Sequence, residues 1–147
     1  MILVDTSVVL KWFINEPLKT EAEALLAGQL GRNDPIGAPQ LLRYELASAL
    51  RQRVRRGFIG DELAREVFDR FLDTPIDYLP RSEADRFAMH RRALAVANQF
   101  DLPATYDAHY IALAELLDCD LWTADRRLLN GVAGRLPFVR DLASFDG

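Results

Sequence analysis

Cysteine, histidine and lysine are scarce in this chain of 147 residues. It contains one cysteine, two histidines and two lysines. The single Cys119 excludes an internal disulfide framework, and its position just before an apolar run predicts a buried thiol rather than a nucleophile. Neither His90 nor His109 is paired with a serine or cysteine, so a nucleophilic triad has no support. Neither histidine is placed as a metal ligand.

Long apolar runs are also absent. No stretch approaches the ~18 residues that a membrane span requires, because charged residues interrupt each candidate. The first residues lack the basic segment, long apolar core and cleavage site of a signal peptide. Together with the single cysteine, these absences predict a cytoplasmic protein with no membrane partner.

An excess of basic residues is missing as well, since 18 Lys and Arg stand against 22 Asp and Glu and give a formal charge of −4. Only Lys11 and Lys19 are lysines, so the positive charge is mostly guanidinium, which matches phosphate in a bidentate way. If several acids surround metal ions, the rest of the chain is close to neutral. The charge neither supports nor excludes a nucleic-acid substrate.

Short apolar runs alternate with longer helical stretches, which predicts an α/β sandwich with a short-stranded parallel sheet flanked by helices. No repeat, low-complexity tract or linker interrupts this pattern, so residues 1–147 are expected to form one domain. The predicted strands are 2–4, 36–38, 76–79, 121–123 and 137–139. The predicted helices are 6–13, 20–27 (ended by Gly28), 40–56, 61–72, 82–99, 105–117 and 125–129.

Two aspartates come directly after predicted strands. Asp5 follows the first strand, and Asp125 follows the strand at 121–123 by one residue. In a parallel sheet the ligand site lies at the carboxyl ends of the strands, so both side chains are expected at the same edge. Helix capping is the alternative for each of them, because aspartate is a favoured N-cap.

Two further acids fall on the apolar faces of predicted helices. At about 100° per residue, Glu45 lies within the arc of Leu42 and Leu46, and Asp107 lies beside Ile111 and Ala114. A buried carboxylate needs a cation, a donor network or a shifted pKa, and a buried salt bridge is the competing explanation. Four acids at one edge would repel each other unless they shared a divalent cation, and hard oxygen ligands favour Mg²⁺ or Mn²⁺ over zinc. Without metal, at least one of the four should have a raised pKa.

Other protein classes with acids at strand ends fit less well. A response-regulator receiver needs a late lysine, and none follows Lys19. A haloacid-dehalogenase-type phosphatase needs a second aspartate two residues after the first, where this chain has Ser7. A nucleotide-binding module needs a glycine-rich turn after the first strand, and there is none.

Three stretches carry the four acids: VDTSVVLKWF (residues 4–13) followed by NEP (15–17), PQLLRYELASAL (39–50) and TYDAHYIALAELLDCDLWTADRRL (105–128). In this order they resemble the motifs of PIN-domain proteins of the VapC toxin type, and the resemblance covers nearly the whole chain. Ser48 departs from the pattern, since many relatives have asparagine there. This departure is expected to alter local hydrogen bonding and not the chemistry.

The resemblance implies a PIN-like three-layer sandwich and an endoribonuclease that hydrolyses RNA phosphodiester bonds with Mg²⁺ or Mn²⁺. It also implies the toxin of a type II toxin–antitoxin module, with a small cognate antitoxin and homodimerisation. Asp5 and Asp107 would then be the principal metal ligands, completed by Glu45 and Asp125 directly or through water. The alternative is a catalytically weak PIN-like domain kept for an interaction.

Supporting roles follow for side chains near these acids. Hydrogen bonds that hold the acids are predicted from Thr6, Ser7 and Thr123, with solvent-facing capping as the alternative for Thr6 and Ser7. Substrate contacts are predicted first for Arg126 and Arg127. A solvated helix end is the favoured alternative for a second group, Arg51, Arg53, Arg55 and Arg56. An antitoxin groove or dimer seam, with core packing as the alternative, is assigned to Trp12, Phe13 and Phe58.

Overall fold

Five short strands form one parallel sheet in the computed structural model, which describes residues 1–147. The strands are β1 (Ile2–Val4), β2 (Ile36–Pro39), β3 (Ile76–Leu79), β4 (Leu121–Thr123) and β5 (Val139–Asp141), in the order β3-β2-β1-β4-β5. All four neighbouring pairs are parallel. The predicted α/β class with a short-stranded parallel sheet is confirmed.

Helices make the connections between the strands. They are α1 (Thr6–Phe13), α2 (Lys19–Arg32), α3 (Leu41–Arg55), α4 (Asp61–Leu72), α5 (Glu83–Gln99), α6 (Tyr106–Leu117) and α7 (Arg126–Val132), and a short 3-10 turn (Leu142–Ser144) follows β5. Parallel crossovers are right-handed, and the chain reverses its direction across the sheet after β3. The connections before and after that reversal therefore cover opposite faces of the sheet, which gives three layers.

The central strands are buried on both sides, which explains why they are continuous apolar runs rather than alternating ones. Leu3 and Val4 of β1 are fully buried, as are Ala38 of β2 and Leu121 of β4. Gly37 lets β2 approach β1 closely, because a Cβ there would lie 2.8 Å from Leu3 Cδ2. No helix combines the length and apolar composition needed to cross a bilayer.

The second helix is longer than predicted, because it runs through Gly28 to Arg32. It ends at Asn33, which adopts the left-handed conformation at φ 53° and donates its N–H to the last carbonyls. Ala22, Leu25 and Gln29 are buried along this helix. Their packing outweighs the roughly 1 kcal/mol that a glycine costs inside a helix.

The last strand lies two residues beyond its predicted position of 137–139. Pairing with β4 begins with Val139 opposite Leu121. Pro137 has no N–H to give to a strand ladder, so the strand starts after it. The last helix also runs further than predicted, to Val132.

Two side chains differ in burial from the sequence-based expectation. Trp12 is only 5% exposed and donates its Nε1–H to the Ala22 carbonyl at 3.0 Å, so it packs in the core and lines no open groove or seam. Phe13 is half-buried, whereas Phe58 is exposed. Cys119 is half-buried rather than fully buried, because it packs only partly against the core.

Candidate active site

An open cavity of about 810 Å³ lies at the point of the sheet where the order of the strands reverses, between β1 and β4. β1 and β4 are neighbours at the centre of the sheet, and the chain continues from them towards opposite edges. Such a switch point leaves a crevice at the carboxyl ends of its strands. The cavity wall contains all four acids singled out from the sequence, Asp5, Glu45, Asp107 and Asp125.

Asp5 is the most buried of these acids, at 7% exposure. Its Oδ1 accepts hydrogen bonds from Ser7 N at 2.9 Å, Ser7 Oγ at 2.5 Å and Val8 N at 3.2 Å, and its Oδ2 accepts one from Thr123 Oγ1 at 2.5 Å. Burial raises the pKa of Asp5 to about 6 against these bonds, and the charge of Asp107 adds to the rise. Asp5 therefore caps α1 and lines the cavity at once.

Ser7 and Thr123 connect the ends of β1 and β4 through Asp5. Ser7 Oγ accepts from Ala124 N at 2.8 Å, and Thr123 Oγ1 accepts from Asp125 N at 3.0 Å. Asp125 in turn caps α7, because its Oδ1 accepts from Arg127 N at 2.8 Å. Two strand ends and two helix starts are thus held together by one hydrogen-bond network.

Glu45 reaches the cavity from α3 and is held by hydroxyl groups. Thr6 Oγ1 donates to Glu45 Oε2 at 3.0 Å, and the Tyr110 hydroxyl donates to the same oxygen at 2.5 Å. Burial raises the pKa of Glu45 against these bonds, and the charge of Asp107 adds to the rise. Burial also raises the pKa of Tyr110 well above its ordinary value, as does the nearby charge of Glu45, so Tyr110 remains a hydrogen donor.

Asp107 has the fewest contacts with polar groups of the protein among the four acids. It is half-buried on the first turn of α6, and no hydrogen bond or ion pair in the protein satisfies its carboxylate. Burial raises the pKa of Asp107, the charge of Asp125 raises it further, and Arg127 opposes the rise. The buried-salt-bridge alternative is therefore wrong for Asp107, and likewise for Glu45, whose partners are hydroxyls.

The cavity wall is acidic overall, with five carboxylates, the fifth being Glu16, against three basic side chains. Two of the basic groups share Glu16: Lys11 Nζ lies 3.6 Å from it and Arg53 Nη2 lies 2.6 Å from it. The third, Arg127, is 94% exposed, with Nη2 3.6 Å from Asp125 Oδ2. None of them pairs with Asp5, Glu45 or Asp107.

The two arginines predicted to contact the substrate lie in different places. Arg127 lines the cavity, whereas Arg126 lies outside it and pairs with Asp141 at 2.7 Å. In the second arginine group only Arg53 reaches the cavity wall, which also includes Ser48. The histidines lie apart from the cavity, with His90 Nδ1 2.7 Å from His109 Nε2.

The cavity wall also contains three residues that had no predicted role: Tyr110, Lys11 and Glu16. Helical spacing could have indicated two of them. Tyr110 comes three residues after Asp107 on α6, and Lys11 comes four residues after Ser7 on α1, so each pair shares a helix face. Glu16 belongs to the NEP stretch of the family resemblance, but helical spacing does not point to it, because it lies outside the helices and reaches Lys11 and Arg53 only through the fold.

The types of side chain in the cavity suit a hard divalent cation, but their positions in this structure do not yet form a complete binding site. All its candidate ligands are carboxylate oxygens, and three of the acids lack a cationic partner. No three acidic, histidine or cysteine side chains are placed so that they could hold one ion together. The carboxylates must therefore move closer together before three of them can hold one ion.

Comparison with known proteins identifies the family. The PIN-domain family model matches residues 2–134, and the chain belongs to that family. Ribonuclease VapC9 of Mycobacterium tuberculosis is 31% identical over 139 residues, which cover 95% of this chain and 97% of the relative. Ribonuclease VapC1 of the same organism is 34% identical over 108 residues, covering 73% and 75%. The resemblance to PIN-domain proteins of the VapC type is thereby confirmed.

A solved structure shares the architecture. The crystal structure of PAE2754 from Pyrobaculum aerophilum matches with a TM-score of 0.66 at 24% sequence identity, covering 97% of this chain and 91% of that one. At this identity the likeness concerns the fold. It confirms the predicted PIN-like three-layer sandwich.

Proposed function

We propose that residues 1–147 form one domain that acts as a metal-dependent endoribonuclease and hydrolyses phosphodiester bonds of RNA. The observation that carries this proposal is Asp107, a half-buried carboxylate with no hydrogen bond or ion pair, facing a cavity with four other acids. Such a group is costly unless the functional state supplies a positive charge. The ribonuclease names of the relatives support the same activity.

Mg²⁺ or Mn²⁺ is the cofactor that the ligand chemistry favours, because all the donors are hard oxygens. Its principal ligands would be Asp5 and Asp107, with Asp125 and Glu45 directly or through water. In Asp5 only Oδ2 retains a free lone pair, because Oδ1 already accepts three hydrogen bonds. When bound, the cation lowers the pKa of a water molecule and offsets negative charge on the phosphate.

The remaining steps belong to side chains of this protein. Tyr110 and Thr6 both donate to Oε2 of Glu45, which leaves Oε1 to receive the proton of the attacking water. Arg127, Lys11 and Arg53 contact phosphate groups of the RNA on the cavity wall. Ser7 and Thr123 keep Asp5 in one orientation throughout.

Incubation with purified total RNA tests this function. We expect new RNA ends with Mg²⁺ or Mn²⁺ and none with EDTA. Hydrolysis by water leaves no 2′,3′-cyclic phosphate, whereas attack by the neighbouring ribose hydroxyl does. Cleavage that persists in EDTA, or that leaves cyclic phosphates, would contradict the proposed chemistry.

In the cell we propose that this activity makes the protein a cytoplasmic toxin, neutralised by a small antitoxin and assembled as a homodimer. The VapC relatives support this role. Expression of the chain alone should arrest growth, and co-expression of a small protein encoded beside it should restore growth. Size-exclusion chromatography with light scattering measures the dimer directly. Normal growth during expression of the folded, cleavage-competent protein would contradict the toxin role.

A further inference from the structure

Two exposed tyrosines stand at the rim of the acid-lined cavity. Tyr44 is 75% exposed and Tyr106 is 59% exposed, and both belong to the cavity wall. Tyr44 directly precedes Glu45 on α3, and Tyr106 directly precedes Asp107 on α6. Successive helical residues are about 100° apart, so each ring stands beside one of the acids and further out towards solvent.

Neither ring is covered by another aromatic ring or by a guanidinium group. Tyr110 of the same cavity differs, because it is 1% exposed and its hydroxyl is bound to Glu45. The two rim tyrosines are thus exposed and carry no hydroxyl contact of the kind that fixes Tyr110.

We propose that Tyr44 and Tyr106 are base-stacking residues, each of which receives one unpaired base of the RNA next to the scissile phosphate. Every base has an aromatic face, so a ring of this kind binds single-stranded RNA without reading its sequence. The phosphates on either side of such bases reach the basic groups in the same cavity, Lys11, Arg53 and Arg127. This combination of exposed rings, cations and acids favours RNA over a protein as the occupant of the rim.

The proposal deepens the proposed function and depends on it, so the test separates binding from cleavage. Every protein in the binding assay carries Asp107→Asn to stop turnover. The probe is a fluorescein-labelled, single-stranded RNA of 15 random nucleotides, and its dissociation constant is measured by anisotropy. Its counterpart is a 15-unit ribose-phosphate chain of the same length without bases.

Loss of either ring should weaken binding of the base-bearing RNA. We expect Tyr44→Leu and Tyr106→Leu each to raise its dissociation constant about 5- to 150-fold, the contribution of one stacked base. Tyr44→Phe and Tyr106→Phe keep the ring and should bind as the parent does. Phe87→Leu removes an aromatic side chain that is 53% exposed outside the cavity and should have no effect.

The base-free chain distinguishes stacking from other contacts. Neither leucine variant should change its binding, because no base is present to stack. Equal weakening of both probes would place the rings against the backbone and overturn the proposal. Leucine variants that bind RNA as the parent does would also overturn it, and a simultaneous loss of antitoxin binding would assign the rim to a protein partner.

Failure of the proposed function has a different signature. A parent chain that neither binds the random RNA nor cleaves total RNA with Mn²⁺ would reject the nuclease itself. A parent that cleaves, together with leucine variants that bind normally, would reject only the stacking role.

Discussion

Replacing Asp5 by asparagine should stabilise the metal-free protein near neutral pH. The pKa of Asp5 rises from 3.8 to about 6 on folding, chiefly because the carboxylate is buried. A raised folded pKa gives a stabilising contribution that is present below the unfolded pKa and is lost as the pH rises through the folded one. Between pH 3 and pH 7 the metal-free parent should therefore lose about 3 kcal/mol of stability through this group.

Asparagine resembles the protonated acid and remains a good helix cap. Asp5→Asn should therefore match the parent below pH 4 in EDTA and exceed its free energy of unfolding by up to about 3 kcal/mol at pH 7. Urea unfolding of both proteins across this pH range measures the difference. Added Mg²⁺ should stabilise the parent by mass action and the variant less.

A matched control is Asp118→Asn, because Asp118 is exposed outside the cavity. It should keep the parent's response to Mg²⁺. An Asp5→Asn protein that is clearly less stable than the parent at pH 7 in EDTA would refute the reasoning, since it would show that the ionised carboxylate stabilises the fold. An equal response to metal would remove Asp5 from the metal site.

Three further changes test the surroundings of the acids. Tyr110→Phe removes a bond that lowers the pKa of Glu45, so the acidic limb of the kcat/KM profile should move to higher pH; an unmoved limb would exclude Glu45 as the base. Arg127→Ala should raise KM about fivefold and reduce the salt slope of RNA binding by about 0.7. Arg126→Ala should do neither, because Arg126 is paired with Asp141 outside the cavity. Ser7→Ala leaves the Ala124 N–H without its acceptor and should cost about 1–3 kcal/mol in urea unfolding, and an unchanged midpoint would refute that role.

The sequence was informative where a local pattern restricts the place of a residue in the fold. Apolar runs with no alternation predict buried parallel strands, and the place of Asp5 and Asp125 after two of them predicts the edge where they lie. A carboxylate on an apolar helix face predicted the inward direction of Glu45 and Asp107. The expectation that an acid would have a raised pKa agrees with the structure, although burial rather than repulsion is the main cause.

Tertiary contacts decided what the sequence could not. Gly28 is a local signal to end a helix, but packing of Ala22 and Gln29 continues α2 past it. The partner of Arg126 is Asp141, fifteen residues away on a strand whose register only the sheet determines. Glu16 joins the cavity through contacts with Arg53, thirty-seven residues further along. Such pairings have no local sequence signature.

If the carboxylates of the cavity bind a divalent cation for RNA cleavage, Asp107 should be the residue most sensitive to substitution, because the protein itself gives that group no partner. The measurement is the single-turnover cleavage rate of labelled RNA against Mn²⁺ concentration for the parent, Asp107→Asn and Asp118→Asn. We expect a saturable metal dependence in the parent and in Asp118→Asn, and loss of at least 100-fold in rate for Asp107→Asn with an unchanged metal-free fold, as is typical when a catalytic electrostatic group is removed. Cleavage by folded Asp107→Asn at the parent's rate and with the parent's metal dependence would contradict the assignment of this cavity as the active site.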